Sequence, residues 1–390
     1  MVIEVLLAVL VAELIIYLLS NYHKGFSARI RRTGLNVGLF TLMIDVGKFA
    51  GLKVRRFNTV SRIVGFVGIA NLISLIALFY WIAIPSLLNI IKSVTSAGVV
   101  GESPFVPVVP GVTIKGLSII YFLLSIAIAI VAHELSHALI AINEGIEVQS
   151  WGLGIFLIFP FAYVRIDDES FNKASLSSKV RVLSAGILSN TALAIVVLLL
   201  MNYVSGILYQ HIAVVICGLD RSLGPDAPAI LANIPVPSVI NSINGTPIKI
   251  LSDLRSYLIS IANKSTSLVL NVSKFNYLID DSIVDSIDGY QLIEVYKPSY
   301  YPRLGILVVE AYLPSVPKEL YYLARAFFWI YLVNISLAVF NAAPLIITDG
   351  GRIIDEFLRK YGLRKVSNVI QALTIIIVVV LLITGFVNFI

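Results

Sequence analysis

Charge is scarce in this 390-residue chain: Asp, Glu, Lys and Arg make up 13% of it, against 58% hydrophobic residues. The mean hydropathy is +0.92. Such a balance excludes an ordinary soluble domain and indicates a polytopic membrane protein. Cysteine is all but absent. Cys217, the single one, excludes an intrachain disulfide framework and a thiolate metal cage, so a metal site here must be built from histidine and carboxylate. Histidine is scarce too, with residues only at 23, 133, 137 and 211. Repeats and low-complexity tracts are missing, and Met1-Val2-Ile3-Glu4 lacks the basic start of a cleaved signal peptide. The net charge of +6 does not point to nucleic acid as a partner. The positive residues sit in short segments beside apolar runs, as membrane topology requires.

Six apolar runs are long enough to span a bilayer: residues 2–20, 64–91, 114–142, 180–204, 321–347 and 366–390. Glu13 lies inside the first, and an ionisable residue there is expected to face protein or water rather than lipid. Nine Lys or Arg fall between residues 24 and 62, which marks that segment as cytoplasmic. Alternation then runs the third and fifth spans inward. Residues 34–46 alternate irregularly and read as strands or a re-entrant piece. Residues 151–160 are apolar but too short to cross as a helix, and their two Gly and one Pro suit an extended hairpin dipping into the membrane. Residues 220–313 are rich in Pro, Asn, Asp, Ser and Gly, with short β-rich runs, and read as a soluble external insert.

The fold class is therefore a polytopic α-helical membrane protein of about six spans, with a membrane-associated β-hairpin and an extracytoplasmic α+β insert. It divides into an N-terminal span with a basic segment (1–62), a membrane core (63–206), the insert (207–318) and C-terminal spans (319–390).

His133-Glu134-Leu135-Ser136-His137 lies in the third run. The spacing puts two imidazoles on one helix face, one turn apart, where both reach a single Zn²⁺ with the Glu beside its water. By chance the pattern arises in a chain of this composition on the order of once in a thousand. The bland alternative is two histidines paired by accident on a core helix. A hydrolytic zinc site takes three protein ligands and leaves a fourth position open. Asp349 is the best third ligand, since it sits at matching depth in an apolar run where an unpaired carboxylate is costly. It could instead cap a turn at Gly350-Gly351. Glu134 is read as the base that takes a proton from the water and passes it to the leaving amine, or as an orienter of the ligands. Asn190, in the first turns of the fourth span, could donate to an oxyanion or substrate backbone, or bond a neighbouring helix.

These motifs together resemble the site-2 protease family of intramembrane zinc metalloproteases, closest to the animal sterol-pathway branch. The likeness rests on His133-Glu134-Leu135-Ser136-His137 in one span and Asn341-x-x-Pro344-x-x-x-x-Asp349-Gly350 closing a later one. Val109-Pro110-Gly111, Gly152-Leu153-Gly154-Ile155-Phe156 and Ala185-Gly186-Ile187-Leu188-Ser189-Asn190 fall in the matching order. The resemblance implies zinc held by His133, His137 and Asp349, Glu134 as base and Asn190 near the metal. It also implies substrate contacts at Gly152 and Gly154, in a hairpin that takes the substrate as an added strand, and at Asn341 and Pro344. Thr348 departs from the Leu common in the family. The insert, through Val239–Ile248 followed by Ser252-Asp253-Leu254, resembles a PDZ domain, with Pro237-Ser238 in place of the usual Gly-Asp.

The function so implied is hydrolysis of peptide bonds within or near transmembrane segments of single-span proteins, at an active site near the cytoplasmic face. The lipid bilayer, and a peptide or protein ligand of the PDZ-like insert, are the other partners expected. Two rivals stand beside it. One is a catalytically silent relative that binds membrane helices around a structural zinc. The other is a transporter, which would show inverted repeats.

Overall fold

A computed structural model of the chain describes residues 2–48, 58–97, 101, 103–105, 108–156, 159–280, 282–301 and 303–387. It forms two compact units, Met1–Leu200 with Arg325–Ile390, and Met201–Ala324.

The first unit begins with helices α1 (Val2–Tyr22) and α2 (Lys24–Thr33), then strands β1 (Leu35–Gly38) and β2 (Thr41–Lys48). Helices α3 (Asn58–Ala97) and α4 (Ser118–Glu144) follow, then the hairpin β3 (Val148–Phe156) and β4 (Phe159–Ile166), then α5 (Asp168–Lys173) and α6 (Leu176–Leu208). The second unit contains β5 (Ile212–Leu219), α7 (Pro228–Leu231), β6 (Ser238–Ile243), β7 (Thr246–Pro247) and α8 (Leu251–Ser260). It continues with β8 (Thr266–Lys274), β9 (Leu278–Ile279), β10 (Ile283–Val284), β11 (Asp288–Lys297) and β12 (Ile306–Tyr312). The chain closes with α9 (Lys318–Ala342), α10 (Asp349–Lys360) and α11 (Arg364–Val387).

Among the described residues, five helical stretches are long and apolar enough to cross a membrane: Ser61–Ser96, Ser118–Glu144, Leu176–His211, Lys318–Ala342 and Arg364–Val387. The expected first span falls on α1, a helix of 21 residues. Glu13 is buried there among exposed Val11, Leu14 and Ile15, so it turns to protein as an intramembrane carboxyl must.

Local chemistry sets where these helices stop. Gly145, at φ +79°, closes α4, with Gly145 N–H returning to Ile142 O and Ile146 N–H to Ala141 O, the Schellman pattern that left-handed glycine permits. Glu144, at that end, accepts from Ser61 on α3 and, on α6, from Ser178 Oγ at 2.7 Å and Arg181 at 3.1 Å. One carboxylate thus levels three span ends. The fifth span ends at Ala342, short of the expected 347: Pro344 has no N–H to continue the ladder, and α10 restarts at Asp349.

Residues 35–48 and the hairpin form one antiparallel sheet in the order β1-β2-β3-β4, so the irregular alternation of the basic segment is strand. Hairpin residues 157–158 lie outside the described residues. In the second unit the sheet order is β11-β8-β6-β5-β12-β10-β9, with β7 on β6. Asn244 and Gly245 have φ +48° and +79°, the two positive values that a type I′ hairpin turn demands. Val214, Ile216, Ile240, Leu268, Leu270 and Val295 form its core, with Leu254 of α8 packed on it.

Candidate metal centre

In a chain of such low polarity, three ligating side chains come together in the first unit. His133 and His137 project one turn apart from α4, and their Nε2 atoms are 3.0 Å apart. Asp349, the first residue of α10, places Oδ2 3.0 Å from His133 Nε2 and 3.2 Å from His137 Nε2. Both histidines are buried. Ligand atoms around a tetrahedral zinc with bonds near 2.0–2.1 Å lie about 3.3 Å apart, so the triangle fits one such ion and leaves a fourth direction open.

The second nitrogen of each ring is used to hold it. His137 Nδ1 lies 2.7 Å from the carbonyl oxygen of Val182. A carbonyl only accepts, so Nδ1 carries the proton and Nε2 presents its lone pair. Asn190 is fully buried, with its amide 3.4 Å from His133 Nδ1 and its Oδ1 without a partner. The two amide ends have the same shape and their assignment follows the bonding. Turning Oδ1 to His133 Nδ1–H satisfies the orphaned oxygen and fixes the tautomer in which Nε2 ligates. Asn190 also lines the cavity beside the cluster.

Val182, Gly186 and Asn190 are spaced by four on α6 and form one stripe facing the histidines. A Cβ at Gly186 would collide with the ligating ends of both imidazoles. In the sequence Gly186 stands out only as part of the motif at residues 185–190. The matching intervals 133–137 and 182–186–190 were the available signal.

The cavity beside the cluster has a volume of about 440 Å³ and is lined by Glu134, Asn190, Asn341 and Arg352, with Phe161, Tyr163 and Val164 from β4. Glu134 is not among the three converging ligands. Its Oε2 accepts the N–H of Val164 at 3.0 Å, which holds the carboxylate at the cavity wall. Arg352 stacks its guanidinium 5.3 Å from the Phe171 ring centroid. Among the expected site residues, His133, Glu134, His137, Asn190, Asn341 and Asp349 therefore share one cavity.

Gly152, Gly154 and Pro344 do not line it. The two glycines pair on both sides, with Asp45 and Met43 of β2 and with Tyr163 and Phe161 of β4, so neither presents a free edge. Their missing side chains leave room for the Tyr163 and Phe161 rings. Pro344 is buried in the break between α9 and α10, where it ends a helix.

Thr348 shapes that break. It is 1% exposed. Its hydroxyl lies 2.6 Å from the Ala343 carbonyl, to which it donates, and accepts the Gly351 N–H at 3.2 Å, capping α10 just before the ligand. The Gly350 and Gly351 positions press on the backbone of Ala342 and Leu345, where a Cβ would collide. Thr348→Val is expected to cost about 1–2 kcal/mol of stability and to weaken zinc binding, while Thr348→Ser retains both. Thermal denaturation and zinc titration of the purified protein check this.

Fold and centre together define a membrane-embedded protein with two His and one Asp placed so that they could hold a metal ion. The sequence matches the model of peptidase family M50 over residues 121–385, more than half of its length, and the chain belongs to that family of membrane metallopeptidases. It is 27% identical over 259 residues to an uncharacterized protein of Methanocaldococcus jannaschii, covering 65% of this chain and 62% of that one. It is 32% identical over 165 residues to a protein of Arabidopsis thaliana described as a membrane-bound transcription factor site-2 protease homolog, covering 40% of this chain and 30% of the relative. The chain thus spans less than two thirds of either relative.

Proposed function

We propose that this protein is an intramembrane zinc endopeptidase that hydrolyses peptide bonds within or near the transmembrane segments of single-span membrane proteins. The observation that carries the reading is the meeting of His133 Nε2, His137 Nε2 and Asp349 Oδ2 in a cavity that also holds Glu134. These three residues would hold a zinc ion, which would supply Lewis acidity toward a water and the scissile carbonyl. Glu134 takes the proton of the attacking water and returns it to the leaving amine as the C–N bond breaks. Asn341 and Asn190 line the cavity, and their amides are assigned to the substrate backbone.

A helix must unwind before its amide can react. The support for strand capture lies in β4, which among the described residues pairs only with β3 and turns the Val164 N–H away from it toward α4. The substrate backbone adds along that edge. In the PDZ-like reading of the second unit, β12 pairs along its length with β5, and on its other side only at Tyr312. A cavity of about 720 Å³ lies beside α8, lined by Leu254, Leu258, Leu304, Val308 and Arg303. Glu310 secures the start of α8 by accepting the Leu251 N–H at 2.8 Å. This groove is assigned to an extended peptide of a substrate or partner. The basic residues between 24 and 62 support a centre near the cytoplasmic face with the second unit outside.

The test is cleavage of a membrane-spanning substrate reconstituted with the full chain. Chelation is expected to abolish cleavage and zinc to restore it. Cleavage that persists after complete removal of metal contradicts the proposal.

A further inference from the structure

A second cavity in the first unit, of about 540 Å³, shares no lining residue with the metal cavity. It lies where Glu144 ties together the ends of α3, α4 and α6. Those helices carry three of the long apolar stretches, so this level is a membrane boundary. Its polar side holds Arg62 of α3, Arg181 of α6, Lys360 of α10 and the hydroxyl residues Ser175 and Ser177. Its apolar side includes Phe66 and Ile69, 79% and 43% exposed, which in a bilayer face hydrocarbon.

The charges around the cavity are unequal. Lys179 pairs with Glu356 at 2.9 Å, Arg359 with Asp355 at 2.7 Å, and Arg181 with Glu144 at 3.1 Å. Arg62 and Lys360 have no ion-pair partner among the described residues. Two unanswered cations above an apolar wall, at a membrane boundary, are complementary to a group that is anionic at one end and hydrocarbon at the other. A zwitterionic lipid brings its own ammonium to the same place and gains less. A free phosphate leaves the apolar wall unused.

We infer that this cavity binds one anionic phospholipid, its phosphate between Arg62 and Lys360 and its acyl chains over Phe66 and Ile69. The ligand ties α10, which begins with Asp349, to the N-terminal ends of α3 and α6. Binding needs neither zinc nor cleavage, so it stands or falls apart from the protease reading.

The experiment is native mass spectrometry of the full chain titrated separately with phosphatidylglycerol, phosphatidylcholine and inorganic phosphate. Phosphatidylglycerol is expected to bind most tightly, with a preference that weakens in high salt. Arg62→Ala and Lys360→Ala are each expected to weaken it about fivefold. Lys115→Ala, near the opposite end of α4, leaves it unchanged. Equal binding of phosphatidylcholine, saturation by inorganic phosphate alone, or unchanged affinity in the double variant of Arg62 and Lys360 would each overturn the inference.

Discussion

Gly186→Ala is expected to empty the metal centre. The added methyl group meets the Nε2 ends of His133 and His137 at once, in the space the ion needs. Neither ring can withdraw freely, because His137 is bound through Nδ1 to Val182 O and His133 is held by Asn190. Loss of a group that merely orients a ligand costs about 10–100-fold in metal affinity, and obstruction of the ligand atoms themselves should exceed that. Cleavage is expected to fall with the zinc. Gly206 lies on the same helix with open space around it, so Gly206→Ala controls for an alanine in α6 and keeps both. Metal content by mass spectrometry, with cleavage of a membrane-spanning substrate, reads the contrast.

Asp349→Ala removes the one ligand that α10 contributes. Two histidines on a single helix cannot hold zinc as three ligands do, and the loss should again exceed the 10–100-fold expected for an orienting group. The variant also separates the alternatives for Asp349. Capping of α10 is already performed by the Thr348 hydroxyl, so a merely structural Asp349 would yield a modest loss of stability with zinc retained. Equilibrium zinc titration beside a thermal melt distinguishes the outcomes.

The site was legible in the sequence where chemistry depends on local spacing. His133 and His137 at i and i+4 share a helix face by geometry alone, and Asp349 stood out because carboxylates are rare in apolar runs. The Asn244-Gly245 turn rests on equally local chemistry, since few residues accept two positive φ values. What escaped depends on distant parts of the chain meeting. Gly186 matters only because α6 lies against α4, and no pattern within α6 states that. The Val164 N–H matters because β4 is the edge strand, a fact set by sheet order. Gly152 and Gly154 lie one strand inside that edge, since the basic segment supplies β2. Thr348, a departure from the residue common in the family, turned out to cap the helix that bears the third ligand.

The central claim is that Glu134 moves the proton at a metal centre built by His133, His137 and Asp349. The most direct measurement is zinc content and cleavage of a membrane-spanning substrate in the same samples of parent and Glu134→Gln. The amide keeps the shape of the side chain and leaves the three ligands alone, but it cannot take a proton. Equal, stoichiometric zinc is expected in both, with cleavage by Glu134→Gln reduced by at least about 10²–10⁴-fold. Parent-level cleavage by zinc-loaded Glu134→Gln, or a parent protein that binds no zinc, would contradict it.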